Sequence, residues 1–158
     1  MTNDITVTIE TPTDREVVVT RTFDAPRHLV FDALTKPELV KRWYGPPGAI
    51  EVCESDTRAG GAWKIVSKMP NGKVVGQFGV YREVTPPDRL VRTERWDDWD
   101  PGETMVTIEL AERNGRTTMT ARMVFPTQEV RDVVLKGGLT PKGTSQFYDR
   151  LATLLAEG

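Results

Sequence analysis

Apolar and polar positions change period along the chain, and each change marks an expected element. The first dozen residues alternate Ile5, Val7 and Ile9 with Thr6, Thr8 and Glu10, which predicts an arm or weak edge strand over residues 1–16. Residues 17–23 are rich in β-branched side chains and are bounded by Asp14 and the Asp24-Ala25-Pro26 break, so a strand is expected there. Pro26 suits the first position of a helix, and Leu29, Val30, Ala33 and Leu34 then recur at helical spacing. Thr35-Lys36-Pro37-Glu38 matches a capping box, predicting a second short helix to Trp43. Tyr44-Gly45-Pro46-Pro47-Gly48 cannot extend that helix.

From residue 49 to residue 125 the period becomes two, over segments 49–54, 62–69, 73–84, 89–96, 103–112 and 117–125. Asn71-Gly72 and Asn114-Gly115 predict tight primed hairpins, whose two central residues need positive φ. Consecutive hairpins make an antiparallel meander. Thr127 is expected to cap a short helix to Lys136, and Thr140-Pro141 to start a last helix carrying Phe147, Leu151, Leu154 and Leu155.

About seven strands span on the order of 34 Å, whereas one helix with its side chains is only about 10 Å thick. A flat sheet would leave apolar positions in water, so the sheet should curl around the helix. The expected class is α+β: a curved antiparallel sheet of about seven strands wrapped around a long C-terminal helix, with two short helices between the first two strands. Gly76 and Gly79 are the positions at which strands would bend. A curled sheet closed by two short helices predicts an apolar cavity.

Alternation assigns inward faces to Trp63, Ile65 and Met69; to Val74, Phe78 and Val80; to Val106, Ile108 and Leu110; and to Met119, Ala121, Met123 and Phe125. Such stripes also describe an ordinary packed core, and Trp43 can gate the cavity or plug it. Arg92 and Glu94 alternate in phase with Leu90 and Trp96, so one register puts two charges inside, where they must pair. The other register turns Val91, Thr93 and Arg95 inward.

The 158 residues make one domain's worth of chain, with residues 17–156 expected as a single domain. With 21 Lys plus Arg against 23 Asp plus Glu, no excess of positive charge is available to track a phosphate backbone, and no nucleic-acid partner is expected. Cys53 and His28 are the only residues of their kinds, which excludes multi-cysteine and His-rich metal centres. No apolar run has membrane-spanning length and the start of the chain has no leader pattern, so the expected location is the cytoplasm. No Ser-His-Asp or Cys-His set can be assembled: His28 reads as solvated and Cys53 as a small core or edge residue. Asp97-Asp98-Trp99-Asp100 reads as a solvated hairpin loop rather than a cation site or a base. No cofactor is expected.

Several stretches in order resemble one family. They are Arg21-Thr22-Phe23-Asp24-Ala25-Pro26 with Val30-Phe31-Asp32-Ala33-Leu34-Thr35, then Arg42-Trp43-Tyr44-Gly45-Pro46-Pro47-Gly48. Asp56-Thr57-Arg58-Ala59-Gly60-Gly61-Ala62-Trp63, Gly79-Val80-Tyr81-Arg82-Glu83-Val84, Pro86-Pro87-Asp88-Arg89-Leu90 and the helix with Gly143 and Leu151 continue the match. Together they resemble the bacterial relatives of the C-terminal domain of the activator of Hsp90 ATPase. That family is a branch of the START-like, Bet v 1-like superfamily, which includes polyketide cyclases. The resemblance spans residues 17–156 and implies a helix-grip fold with a cavity between sheet and long helix, but no single activity. Thr144 departs from it, since members often carry Trp there, and implies a wider or differently shaped pocket.

The leading expectation is non-enzymatic binding of a small apolar or aromatic molecule, such as a lipid or polyketide. The residues expected around it are Phe31, Trp43, Trp63, Ile65, Phe78, Arg92, Glu94, Trp96, Val106, Ile108, Met119, Met123, Phe147 and Leu151. A cyclase or hydrolase using Arg92, Glu94 or Tyr81 is the second expectation. A chaperone cofactor is the third, and it is less favoured because the chain shows no separate N-terminal domain. Apolar strand edges would also suit a homodimer.

Overall fold

The computed structural model describes residues 7–157, so Ile5 of the N-terminal alternation lies outside the described residues. The elements are β1 (Thr8–Glu10), β2 (Glu16–Phe23), α1 (Arg27–Thr35), α2 (Pro37–Trp43), β3 (Ile50–Ser55), β4 (Ala62–Lys68), β5 (Val74–Thr85), β6 (Arg89–Trp96), β7 (Thr104–Arg113), β8 (Arg116–Val124), α3 (Gln128–Gly137) and α4 (Pro141–Ala156). The strands form one antiparallel sheet of eight, in the order β1-β2-β8-β7-β6-β5-β4-β3. The extra strand is β1, an edge strand on β2 with Ile9 opposite Val19. The two short helices therefore follow the second strand, and they carry the chain from one side of the sheet to the opposite edge.

Local chemistry sets most of the element ends. The Thr127 and Thr140 hydroxyls accept from the amides of Val130 and Gly143, capping α3 and α4, and Pro141 takes the first helical position of α4. Asn114 and Gly115 have φ of 55° and 75°, as a primed turn between paired Arg113 and Arg116 requires.

Three local expectations are corrected. Pro26 is the residue before α1, not its first residue. The capping box does not form: Lys36 precedes α2, and the Thr35 hydroxyl instead donates to the Phe31 carbonyl at 2.8 Å. In the Met69–Lys73 turn only Gly72 is left-handed, at φ 87°; Gly72 donates to Met69 O and Met69 to Lys73 O, the pattern of a three-residue loop closed by a glycine bulge.

The core lies between sheet and helices. Val17, Val19 and Phe23 of β2, Ile108 and Leu110 of β7 and Met119 of β8 are buried together with Val30, Phe31 and Ala33 of α1 and Leu151 of α4. Register shifts interrupt the β3–β4 and β5–β6 ladders and bend the sheet locally. Gly76 and Gly79 act through close approach: a Cβ on Gly79 would stand 1.9 Å from the Thr93 carbonyl oxygen, and one on Gly76 would stand 2.4 Å from the Asp97 carboxylate.

Candidate ligand cavity

A cavity of about 540 Å³ opens between the inner face of the sheet and the four helices. Its walls come from β4 to β8 on one side and from α1 to α4 with the Tyr44–Pro46 segment on the other, so the sheet does curl around its helices. The exposed lining residues Pro46, Met69, Gly138 and Gln146 mark where it meets solvent. Its volume falls within the range common for small-molecule sites.

The structure brings most of the expected residues to this space. Trp43 of α2, Ile65 of β4, Arg92, Glu94 and Trp96 of β6, Val106 and Ile108 of β7, Met123 of β8 and Phe147 of α4 all line it. Phe31, Trp63, Met119 and Leu151 do not; each is at most 5% exposed and belongs to the packing behind the cavity wall.

Phe78 is a correction, because it lies on the outer face and is 39% exposed. Residues directly opposite one another in a ladder share a face. Ile65 stands opposite Gln77 and Lys64 opposite Phe78, so Gln77 turns inward and Phe78 outward. Val74 follows Phe78 and is 49% exposed. Residues 74–81 carry apolar side chains at both parities, so their own alternation picks no face, and β4 decides.

Pairing also settles β6. Arg92 stands opposite Tyr81 and Val106, and Leu90 opposite Ile108, which puts Arg92 and Glu94 on the inner face. Both side chains are 16% exposed, and Arg92 Nη2 lies 3.7 Å from Glu94 Oε2. That distance is an ion pair and too long for a hydrogen bond. The guanidinium sits 4.5 Å from the Trp63 ring centre, while its Nε is buried without a hydrogen-bond partner among the described residues.

Trp63 is itself held by the strand irregularity. Its indole N–H donates to the Thr93 carbonyl at 3.0 Å, and the Thr93 hydroxyl accepts from the Val80 amide at 2.9 Å in a stretch absent from the β5–β6 ladder register. Gly79 leaves room for this crossing. Thr93, Trp63 and Gly79 thus aim Arg92 without lining the cavity. Only the glycine inside a strand signals this arrangement in the sequence.

Aromatic side chains close the helical side. Trp43, Tyr44, Phe147 and Tyr148 pack with ring centres 5.0 to 6.4 Å apart, so Trp43, 3% exposed, is built into the wall. Tyr44 and Tyr148 were not among the expected residues, since the first reads from sequence as a loop residue and the second lies beside the apolar stripe of α4. The Tyr44 hydroxyl donates to Gln77 Oε1 at 2.6 Å. Thr144 lines the cavity, and its buried hydroxyl has no hydrogen-bond partner among the described residues.

Burial sets the electrostatics here. It pushes the Glu94 carboxyl above the ordinary carboxylate range, against the lowering effect of Arg92. Burial and the Glu94 charge raise the Tyr44 phenol, while burial pushes Tyr148 up to about 12. Both phenols therefore stay neutral donors at neutral pH.

Elsewhere, Tyr81 shares the inner face with Arg92 but is packed in the core and does not line the cavity, with its hydroxyl 2.6 Å from that of Ser55. His28 is exposed, and Cys53 is half-buried with its thiol pushed up by burial. The acidic loop is structural as well as solvated: Asp97 accepts from the Gly76 amide, while Asp98 and Asp100 pair with Lys73 and Arg95. Among the described residues, no cluster suited to a metal ion occurs and no helix is long and apolar enough to cross a membrane.

Solved structures share this architecture. A Rhodobacter sphaeroides protein is 28% identical with a TM-score of 0.86, covering 96% of this chain and 98% of its own. A Nitrosomonas europaea protein is 28% identical with a TM-score of 0.82, covering 93% and 97%. A Staphylococcus epidermidis protein is 26% identical with a TM-score of 0.79, covering 95% and 94%. No curated protein matches the sequence. The family model described as activator of Hsp90 ATPase homolog 1-like protein matches residues 24–156. With that match over most of its length and the helix-grip fold of its structural neighbours, the chain belongs to the activator of Hsp90 ATPase homolog 1-like family.

Proposed function

We propose that this protein binds a small apolar or aromatic molecule in the cavity between sheet and α4, without converting it. One observation carries the reading: about 540 Å³ of space walled largely by apolar and aromatic side chains such as Trp43, Trp96, Phe147, Val106 and Ile108. Apolar walls supply affinity by removing ligand surface from water, and a few fixed polar groups supply orientation.

Thermal unfolding against a panel of lipids, flavonoids and polyketides tests it. A ligand at about 100 times its Kd stabilises the fold by about 2.7 kcal/mol, a readily measured rise in Tm. Thr144→Trp, which places an indole inside the cavity, is expected to abolish that rise while the variant still unfolds cooperatively. A panel without a single shift overturns the reading.

The buried Glu94 carboxyl beside Arg92 supports a second reading, a cyclase or hydrolase acting on the same kind of molecule. Turnover of any panel member that survives joint replacement of Arg92 and Glu94 by Ala would remove it. Tyr81 drops out of that mechanism because it is buried in the core, does not line the cavity and has its hydroxyl against that of Ser55.

A further inference from the structure

The binding reading leaves open what the ligand carries at its polar end, and the Arg92–Glu94 pair bears on that question. Two charged side chains, each 16% exposed, face the cavity with 3.7 Å between their nearest atoms. A buried pair that close normally gains hydrogen bonds that offset its desolvation. Here the contact is too long for one, and Arg92 Nε is buried with no partner among the described residues. The guanidinium stays in place because Trp63 supports its face. A donor and an acceptor are therefore fixed side by side, each with part of its side chain open to the cavity.

Resting on the binding reading, we propose that Arg92 and Glu94 together receive one hydroxyl group, a phenol or alcohol on an apolar or aromatic body. The hydroxyl donates to the Glu94 carboxylate and accepts from the Arg92 guanidinium, so a single oxygen satisfies both. An ether or ketone accepts from Arg92 but gives Glu94 nothing. A ligand carboxylate accepts from Arg92 but has no proton to donate to the Glu94 carboxylate, which repels it, although Arg150 also lines the cavity. Specificity of this kind rests on what a wrong ligand leaves unpaired, because an unbonded buried charge costs more than a lost apolar contact.

Calorimetric titration with 2-naphthol, 2-methoxynaphthalene, naphthalene and 2-naphthoate at neutral pH separates the cases. The proposal expects 2-naphthol to bind about tenfold or more tightly than the ether and the hydrocarbon, the contribution of a hydrogen bond to a charged group. It expects 2-naphthoate to bind more weakly than 2-naphthol. Glu94→Leu is expected to bring 2-naphthol and the ether to equal affinity, whereas Glu94→Gln, which keeps an acceptor oxygen, retains the preference. Equal binding of 2-naphthol and the ether to the unaltered protein overturns the hydroxyl assignment and leaves cavity binding standing, and tightest binding of 2-naphthoate overturns it in favour of anion recognition by Arg92. No binding of any of the four overturns cavity binding itself, and the hydroxyl assignment with it.

Discussion

Gly79 lies where β5 and β6 leave their regular register, and the whole polar end of the cavity leans on it. A methyl group there meets main-chain oxygen, which cannot move aside as a flexible side chain can. Gly79→Ala is expected to cost about 3 kcal/mol in urea unfolding. Gly137→Ala, at the end of α3 with open space around its would-be Cβ, is expected to change stability by no more than about 1 kcal/mol, and in the stabilising direction. Glu94 gives the other prediction at this scale. Its carboxyl titrates higher in the folded chain than its ordinary value of 4.5, so the folded state holds the proton more tightly than the unfolded state does. Stability from this group is complete below that ordinary value and falls as pH rises through the folded-state value. Glu94→Gln should flatten this dependence, so its stability relative to the unaltered protein should be greater at pH 7 than at pH 4. Thermal unfolding at both pH values, with Arg92, Tyr44 and Tyr148 intact around the site, checks it.

At the scale of elements, short-range chemistry explains what was readable in advance. Thr127 and Thr140 cap their helices, and Asn114-Gly115 turns as its residue types require. Replacing Thr140 by Ala is expected to cost about 1 kcal/mol, a fall of about 2–4 °C in Tm for a chain of this size. The capping box at Thr35 failed because two helices share that junction. Its hydroxyl is buried under α1 and back-bonds within that helix, so the first turn of α2 is left to Lys36. The faces of β5 were unreadable for a different reason. Apolar residues occupy both parities of the strand, and an assignment that depends on partners in β4 is not contained in β5 alone.

For the molecule as a whole, α4 is what the sheet closes around. Leu151 is fully buried where that helix meets the core, and Leu151→Ala is expected to cost about 2–5 kcal/mol by chemical denaturation. Arg21 ties the same helix to β2: its guanidinium lies 2.9 Å from the Asp149 carboxylate and 5.4 Å from the Phe23 ring centre.

The sequence by itself determined the kinds and order of the elements, because caps, turns and period are set within a few residues of where they act. It also determined that the sheet must curl, because one long helix cannot cover so many strands. Tertiary structure alone decided which of two apolar faces β5 turns inward, that Arg92 rests on Trp63 facing Glu94, and that Tyr44, Tyr148 and Thr144 join the wall. Each of those outcomes depends on register between strands or on where a helix settles, and cross-strand partners set both.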